Sequence, residues 1–198
     1  MEERGLWFMG HKRFLEAVEE HPIIAAVKDM EGLRKCIKLE EIQVVFILFG
    51  DICTLAEIVD EVKIAGKIAM VHVDLIGGLG SKEVVVDFIH FHTKADGIIS
   101  TKPALIRRAN ELSMFTVLRY FLIDSMALES IHRQQQSLKP DLIEVLPGVM
   151  PEIIRQIVET IDTPVIAGGL VRTRENVIES LGAGAMAVSS TNQDVWEM

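Results

Sequence analysis

Eight short runs rich in Val and Ile recur along the 198 residues, and most are followed by a segment with helical spacing of apolar residues. Most runs are nearly continuous in apolar residues, which is typical of strands covered on both faces. Strict alternation of strands and helices predicts parallel strands joined by right-handed crossovers. The predicted strands are Ile23–Val27, Val44–Phe49, Lys67–Leu75, Gly97–Thr101, Phe115–Ile123, Leu142–Leu146, Pro164–Ala167 and Ala185–Ser189.

Eight such units indicate an α/β fold, a compact (β/α)8 barrel of the TIM type, with residues 1–198 forming a single domain. Residues 1–20 form an N-terminal extension in which His11–Glu20 is a predicted helix. Only Thr191–Met198 follows the last strand, so the final helix is predicted to be truncated. The alternative is an open doubly wound sheet, and its dinucleotide-binding version is disfavoured because no G-x-G-x-x-G follows the first strand.

Local signals predict where several helices begin and end. Thr54–Glu57 fits a capping box, and Thr173 fits an N-cap with Gly182 as a left-handed stop. Pro103 and Pro151 fit first-turn positions. A helix that opens at Ser81 is predicted to bury one apolar stripe, formed by Val84, Val85, Phe88 and Phe91.

The charge balance limits the possible partners. Lys and Arg number 20 against 29 Asp and Glu, a formal net charge of −9, so nucleic acid contact would need a local basic patch. No uncharged apolar run approaches the roughly 20 residues of a membrane span, so we expect no membrane partner. Two cysteines without a metal pattern, and an N-terminus without an apolar signal core, indicate a reduced, cytoplasmic setting.

Polar residues cluster where the predicted strands end, and in a barrel these ends form the functional mouth. They are Lys28, Asp51, His72, Asp74, Thr101, Lys102, Arg119, Glu144 and Arg172. His72 and Asp74 are two residues apart, so on a strand they would share one face. They are predicted to contact a polar ligand or to form an internal ion pair with Lys28 or Arg119, and a metal pair is disfavoured. Glu144 interrupts an apolar run and should face the interior or the mouth.

The strongest local signal comes near the C-terminus. Gly168 and Gly169 follow the seventh strand, and their backbone N–H groups could approach an anion closely. Ser189, Ser190 and Thr191 end the eighth strand and add hydroxyl and N–H groups before the short last helix. These two loops form the usual phosphate site of the barrel, so we predict a phosphorylated ligand. The alternative is that the glycines only permit tight packing.

The sequence gives less support to catalysis. Lys102, Asp74 and Glu144 could serve as an acid, a base or a Schiff-base lysine, but no G-x-S-x-G, H-E-x-x-H or P-loop motif is present. We expect no cofactor.

Three pairs of basic side chains are candidates for a local patch: Lys12/Arg13, Arg107/Arg108 and His132/Arg133. Each pair is more typical of a solvated helix face. RNA binding would require the pairs to converge on one surface or a homo-oligomer to align them.

Several blocks together resemble the glycerol-3-phosphate responsive antiterminators, the regulatory proteins of glycerol uptake operons. The resemblance runs from about residue 21 to residue 198 and includes Trp196 near the end. Its blocks are Val71–Ile76, Gly97–Thr101, Phe121–Ser125, Pro140–Gly148, Ala167–Thr173 and Val188–Thr191.

This resemblance implies a regulator rather than an enzyme. It would bind glycerol 3-phosphate and then the leader mRNA of glycerol-utilisation genes, which prevents premature termination. A barrel enzyme such as an aldolase, isomerase or synthase acting on a small phosphorylated metabolite is the alternative. The residues that the matching motifs carry over are His72, Asp74, Ser100, Thr101, Glu144, Gly168, Gly169, Arg172, Ser189, Ser190 and Thr191.

Overall fold

Eight parallel strands close into a barrel in sequence order, and the last strand pairs with the first. The computed structural model describes residues 14–198, with residues 135 and 136 described through their backbone alone. The closed (β/α)8 barrel predicted from the sequence is confirmed. The strands are β1 Ile23–Val27, β2 Val44–Ile47, β3 Ile68–His72, β4 Gly97–Ser100, β5 Phe115–Phe121, β6 Leu142–Leu146, β7 Val165–Gly168 and β8 Ala187–Ser190.

Helices cover the outside of the barrel. The last of them is only four residues long, in agreement with the truncated final helix predicted from the sequence. A 3₁₀ turn, Val73–Leu75, follows β3 directly. The helices are α1 (residues 14–20), α2 Met30–Cys36, α3 Leu55–Ile64, α4 Val84–His92, α5 Pro103–Glu111, α6 Ser125–Leu138, α7 Pro151–Val158, α8 Arg174–Gly182 and α9 Gln193–Trp196.

The strands separate two apolar cores. The larger core fills the space between the strands and the outer helices, and the smaller core fills the barrel interior. Met70, Val117 and Leu142 belong to the interior core. Because side chains alternate along a strand, the residue two positions after each of them also faces inward. The residues two positions later are His72, Arg119 and Glu144, so all three face the inside of the mouth.

The N-terminal helix contributes to the barrel interior. Phe14 and Val18 of α1 are fully buried in the interior core, and the Phe14 ring stacks on Phe115 with centroids 4.6 Å apart. The first residues of the predicted helix His11–Glu20 lie outside the described residues. Residues 14–20 of this helix cover the end of the barrel opposite the mouth.

Two predicted features around α3 and β3 are wrong. The Thr54 side chain makes no cap hydrogen bond, because the Asp51 carboxylate accepts from the backbone N–H groups of Cys53 and Thr54 instead. The predicted strand Lys67–Leu75 ends at His72, and Asp74 lies in the 3₁₀ turn. His72 and Asp74 therefore do not share a strand face.

Two helix predictions are also corrected. Helix α4 begins at Val84, three residues after Ser81, and its buried stripe is Val85, Val86 and Ile89. Val84 and Phe91 are exposed. Gly182 is the last residue of α8 rather than a left-handed stop, and the positive φ comes two residues later, at Gly184, where φ is +101°.

Helix α8 begins with the predicted N-cap. The Thr173 hydroxyl accepts a hydrogen bond from the Asn176 N–H, and the Asn176 side chain accepts from the Thr173 N–H, which completes a capping box. Replacing Thr173 by Ala is expected to lower the free energy of unfolding by about 1 kcal/mol. Urea denaturation would measure the loss. Thr160→Ala is the control: this exposed threonine N-caps no helix, and its hydroxyl donates only to carbonyls in the last turn of α7. It should cost less than about 0.5 kcal/mol, and equal losses would contradict the capping role.

Candidate functional site

A cavity of about 230 Å³ opens at the carboxyl ends of the strands. Its walls are the loop between β7 and α8, the loop between β8 and α9, and the inward-facing ends of β5 and β6. The residues that line it are Ala26, Leu48, Arg119, Glu144, Leu146, Gly169, Leu170, Val171, Arg172, Ser189, Ser190, Thr191 and Asn192.

The two loops are joined by hydrogen bonds. The Ser190 hydroxyl donates to the Val171 carbonyl at 2.7 Å, and the Asn192 amide group donates to the Arg172 carbonyl at 3.1 Å. The Trp196 indole in turn donates to the Ser190 carbonyl at 2.7 Å. The chain near its C-terminal end therefore holds both walls of the cavity in place.

The β7–α8 loop has an unusual backbone. Gly169 and Leu170 are consecutive residues with φ of +72° and +61°, the left-handed region that non-glycine residues seldom adopt. A Cβ atom at Gly169 would lie 3.0 Å from the Leu146 side chain, so a side chain here would also press on Leu146. The backbone N–H groups of Leu170, Val171 and Thr191 donate to no acceptor within residues 14–198. Unpaired N–H groups of this kind are suited to an anion.

A buried ion pair forms the floor of the cavity. The Arg119 Nε atom donates to the Glu144 Oε2 atom at 2.5 Å, and the Ser189 hydroxyl donates to Glu144 Oε1. Arg119 is 8% exposed and Glu144 is 1% exposed. A Cβ atom at Gly168 would lie 2.7 Å from the Ser189 hydroxyl oxygen and would overlap Glu144. Gly168 therefore makes room for the carboxylate and does not line the cavity itself.

A second polar cluster lies after β3 and β4. The Asp74 carboxylate accepts from the Ser100 hydroxyl at 3.0 Å and the Thr101 N–H at 2.8 Å, and it pairs with the Lys102 ammonium at 2.8 Å. Burial tends to raise the pKa of Asp74, but the hydrogen bonds from Lys102, Thr101 and Ser100 outweigh it and lower the pKa below its usual value. This cluster ties the 3₁₀ turn to the start of α5.

His72 lies at the end of β3 and is only 2% exposed. Neither of its ring nitrogens has a hydrogen-bond partner among the residues that the structure describes. Burial and the nearby Arg119 cation lower the pKa of His72 to about 4, so the ring is neutral at neutral pH. A neutral imidazole is the form that costs least in this enclosed position.

Comparison with known proteins now identifies the family. Residues 23–196 match the model of the glycerol-3-phosphate responsive antiterminator. The chain belongs to this family. It is similar to the uncharacterized protein YgcP of Escherichia coli (strain K12), with 42% identity over 93% of this chain and 96% of that protein.

Two solved structures agree with this assignment. The glycerol uptake operon antiterminator regulatory protein of Listeria monocytogenes is 34% identical, with a TM-score of 0.85 over 88% of this chain and 94% of that chain. A glycerol uptake operon antiterminator-related protein of Thermotoga maritima is 36% identical, with a TM-score of 0.79 over 89% of this chain and 98% of that chain. Membership in the antiterminator family supports a role in regulating transcription rather than in catalysis.

The structure of this antiterminator family member brings together only part of the residue set expected from the sequence. Arg119, Glu144, Gly169, Arg172, Ser189, Ser190 and Thr191 line one cavity. His72, Asp74, Thr101 and Lys102 are not among its lining residues, and Lys28 is exposed beyond β1. Sequence reasoning missed Ala26, Leu48, Leu146, Leu170, Val171 and Asn192. Each lies within three residues of the end of a strand, which is the signal that could have found them.

The predicted basic pairs lie away from this cavity. Arg107 and Arg108 are on α5, and Arg108 is held by Asp87 at 2.5 Å and Glu111 at 2.7 Å. His132 and Arg133 are on α6, and Lys12/Arg13 falls outside the described residues. Within residues 14–198, no group of three or more His, Cys, Asp or Glu side chains could hold a metal ion. In the same part of the chain, no helix has the length and apolar character needed to cross a membrane.

Proposed function

We propose that this protein is a transcription antiterminator that binds glycerol 3-phosphate in the mouth cavity and then binds the leader mRNA of glycerol-utilisation genes. The observation that carries the ligand half is the pair of joined loops with unpaired N–H groups at Leu170, Val171 and Thr191. A phosphate at that position would accept from these groups, with Arg172 at the cavity wall as a charged neighbour.

The state of the carboxylates supports a sensor rather than an enzyme. Glu144 is paired with Arg119, and Asp74 is paired with Lys102. An acid/base catalyst needs a carboxyl group free to exchange a proton with the substrate. Carboxylates that already bind a cation are better suited to fixing the shape of a binding site.

Thermal unfolding with and without glycerol 3-phosphate tests the ligand. A ligand at 100 times its Kd stabilises the folded state by about 2.7 kcal/mol, which corresponds to a rise in Tm of about 5–10 °C for a chain of this length. Glycerol and inorganic phosphate serve as separate controls, and we expect glycerol to leave the Tm unchanged. No shift with any phosphorylated three-carbon compound would contradict the proposal.

A matched pair of glycine variants locates the site. Gly169→Ala places a side chain where φ is +72° and Leu146 is close, so we expect loss of ligand binding. Gly66→Ala has the same backbone cost, with φ at +76°, but it lies in the turn before β3, away from the mouth, with no neighbour within 4 Å. It should bind as the unchanged protein does. Equal binding by both variants, measured by calorimetry, would place the ligand elsewhere.

The RNA half of the proposal has its own test. Ligand can promote RNA binding only if it prefers the RNA-competent state. A gel shift with leader RNA at one fixed salt concentration should therefore show tighter binding when glycerol 3-phosphate is present. Because the net charge is −9, light scattering on the same samples would show whether a homo-oligomer forms the RNA-binding species. RNA affinity that is unchanged by the ligand would remove the switch.

A further inference from the structure

The floor of the mouth cavity carries two opposite charges that cancel. Arg119 and Glu144 lie on neighbouring strands in direct register, and their ion pair is almost completely buried. The two terminal nitrogens of Arg119 make no hydrogen bond with any residue between 14 and 198, and neither nitrogen is fully buried. They are therefore open to the cavity that the residue lines.

The surroundings fix Glu144 in this arrangement. Each of its two oxygens already accepts one hydrogen bond, from Ser189 and from Arg119, and Gly168 leaves just enough space for it. Each carboxylate oxygen can still accept a second hydrogen bond. The floor thus offers donors from the guanidinium and acceptors from the carboxylate, with no net charge.

A hydroxyl group both donates and accepts, so it matches such a floor. A carboxylate on the ligand would bring a second negative charge close to Glu144, in a site where burial strengthens the repulsion. A ligand whose phosphate is held by the two loops presents its other end to this floor. The charge on that end therefore decides whether the ligand fits.

We infer that the Arg119–Glu144 pair is the specificity determinant of the cavity, which admits a phosphorylated polyol and excludes the corresponding phosphorylated hydroxy acid. This inference rests on the proposed function. It concerns the end of the ligand opposite the phosphate, for which the family comparison assigns no residue.

Two ligands of nearly equal size test the inference. Glycerol 3-phosphate and 3-phosphoglycerate differ only in a terminal hydroxymethyl or carboxylate group. We expect the unchanged protein to bind the polyol phosphate at least tenfold more tightly, as measured by calorimetry. Glu144→Gln removes the negative charge but keeps the size and one acceptor oxygen, so the ratio of the two Kd values should shift at least tenfold towards the acid.

The reciprocal variant keeps the test valid if Glu144→Gln does not fold. Arg119→Gln leaves the carboxylate without its cation, so discrimination against 3-phosphoglycerate should increase. Asp87→Asn is the matched control, because it also removes a carboxylate paired with an arginine, Arg108, but on the outer helices α4 and α5. It should leave the ratio unchanged.

The outcomes separate the two claims. If the unchanged protein binds neither compound, the proposed function fails and the inference fails with it. If it binds glycerol 3-phosphate but neither Glu144→Gln nor Arg119→Gln moves the ratio, the inference alone is overturned. Equal affinity of the unchanged protein for both compounds would also overturn it.

Discussion

Replacing Glu144 by Ala is expected to lower the free energy of unfolding by about 3–5 kcal/mol, because it leaves the buried Arg119 cation without its partner. The side chain is 1% exposed and lies against Gly168 and Ser189. The loss would be measured by urea denaturation at neutral pH.

The double variant Arg119→Met with Glu144→Leu provides the control. Replacing a whole buried ion pair by apolar side chains of similar volume is often neutral or stabilising, so most of the loss should be recovered. The single variants Arg119→Met and Glu144→Leu and the double variant form a cycle, and the coupling energy should be large because the two side chains touch. Losses that simply add would mean that the pair does not act as a unit.

Acidification is expected to destabilise the protein through His72. The pKa of His72 is about 4 in the folded state, against an ordinary value of 6.5, because burial and the nearby Arg119 and Lys102 cations disfavour the charged ring, although Asp74 partly opposes them. The unfolded chain therefore binds more protons between these two values. The stability from the neutral ring is fully present above pH 6.5 and is lost as the pH falls through 4, a change of about 3 kcal/mol.

A histidine variant isolates this contribution from the carboxylates. His72→Leu removes the titrating group, so its free energy of unfolding should fall less steeply between pH 6.5 and 4 than that of the unchanged protein. His90→Leu, at an exposed position on α4, should keep the full slope. Asp74 acts in a different range, because its pKa is already lowered below 3.8. Parallel pH profiles for the unchanged protein and His72→Leu would contradict the assignment.

The barrel could be predicted from the sequence because strands buried on both faces leave continuous apolar runs and half-buried helices leave apolar residues at helical spacing. Strand ends were harder, since the chain after β3 turns at Val73 to satisfy Asp74, a preference that depends on Ser100 and Lys102, about 26 to 28 residues further along. The same holds for α3. The Thr54 hydroxyl donates to the Asp51 carboxylate at 3.0 Å, and the same carboxylate accepts from the Cys53 and Thr54 N–H groups, so a partner three residues upstream decides what Thr54 does.

Part of the candidate site could also be predicted from the sequence. The Gly-Gly turn and the Ser-Ser-Thr segment come at fixed places in the strand order, so their convergence follows from topology. The pairing of Arg119 with Glu144 did not follow from spacing, because it depends on the register of β5 against β6. The role of Gly168 as space for a carboxylate depends on the same register.

The hydrogen bonds from Ser190 to Val171 and from Asn192 to Arg172 have a consequence for binding. Neither loop can move without breaking a contact with the other, and Trp196 restrains both through Ser190. The two loops are therefore preorganised: their conformational entropy is lost during folding, and an anion that bound there would not have to order them.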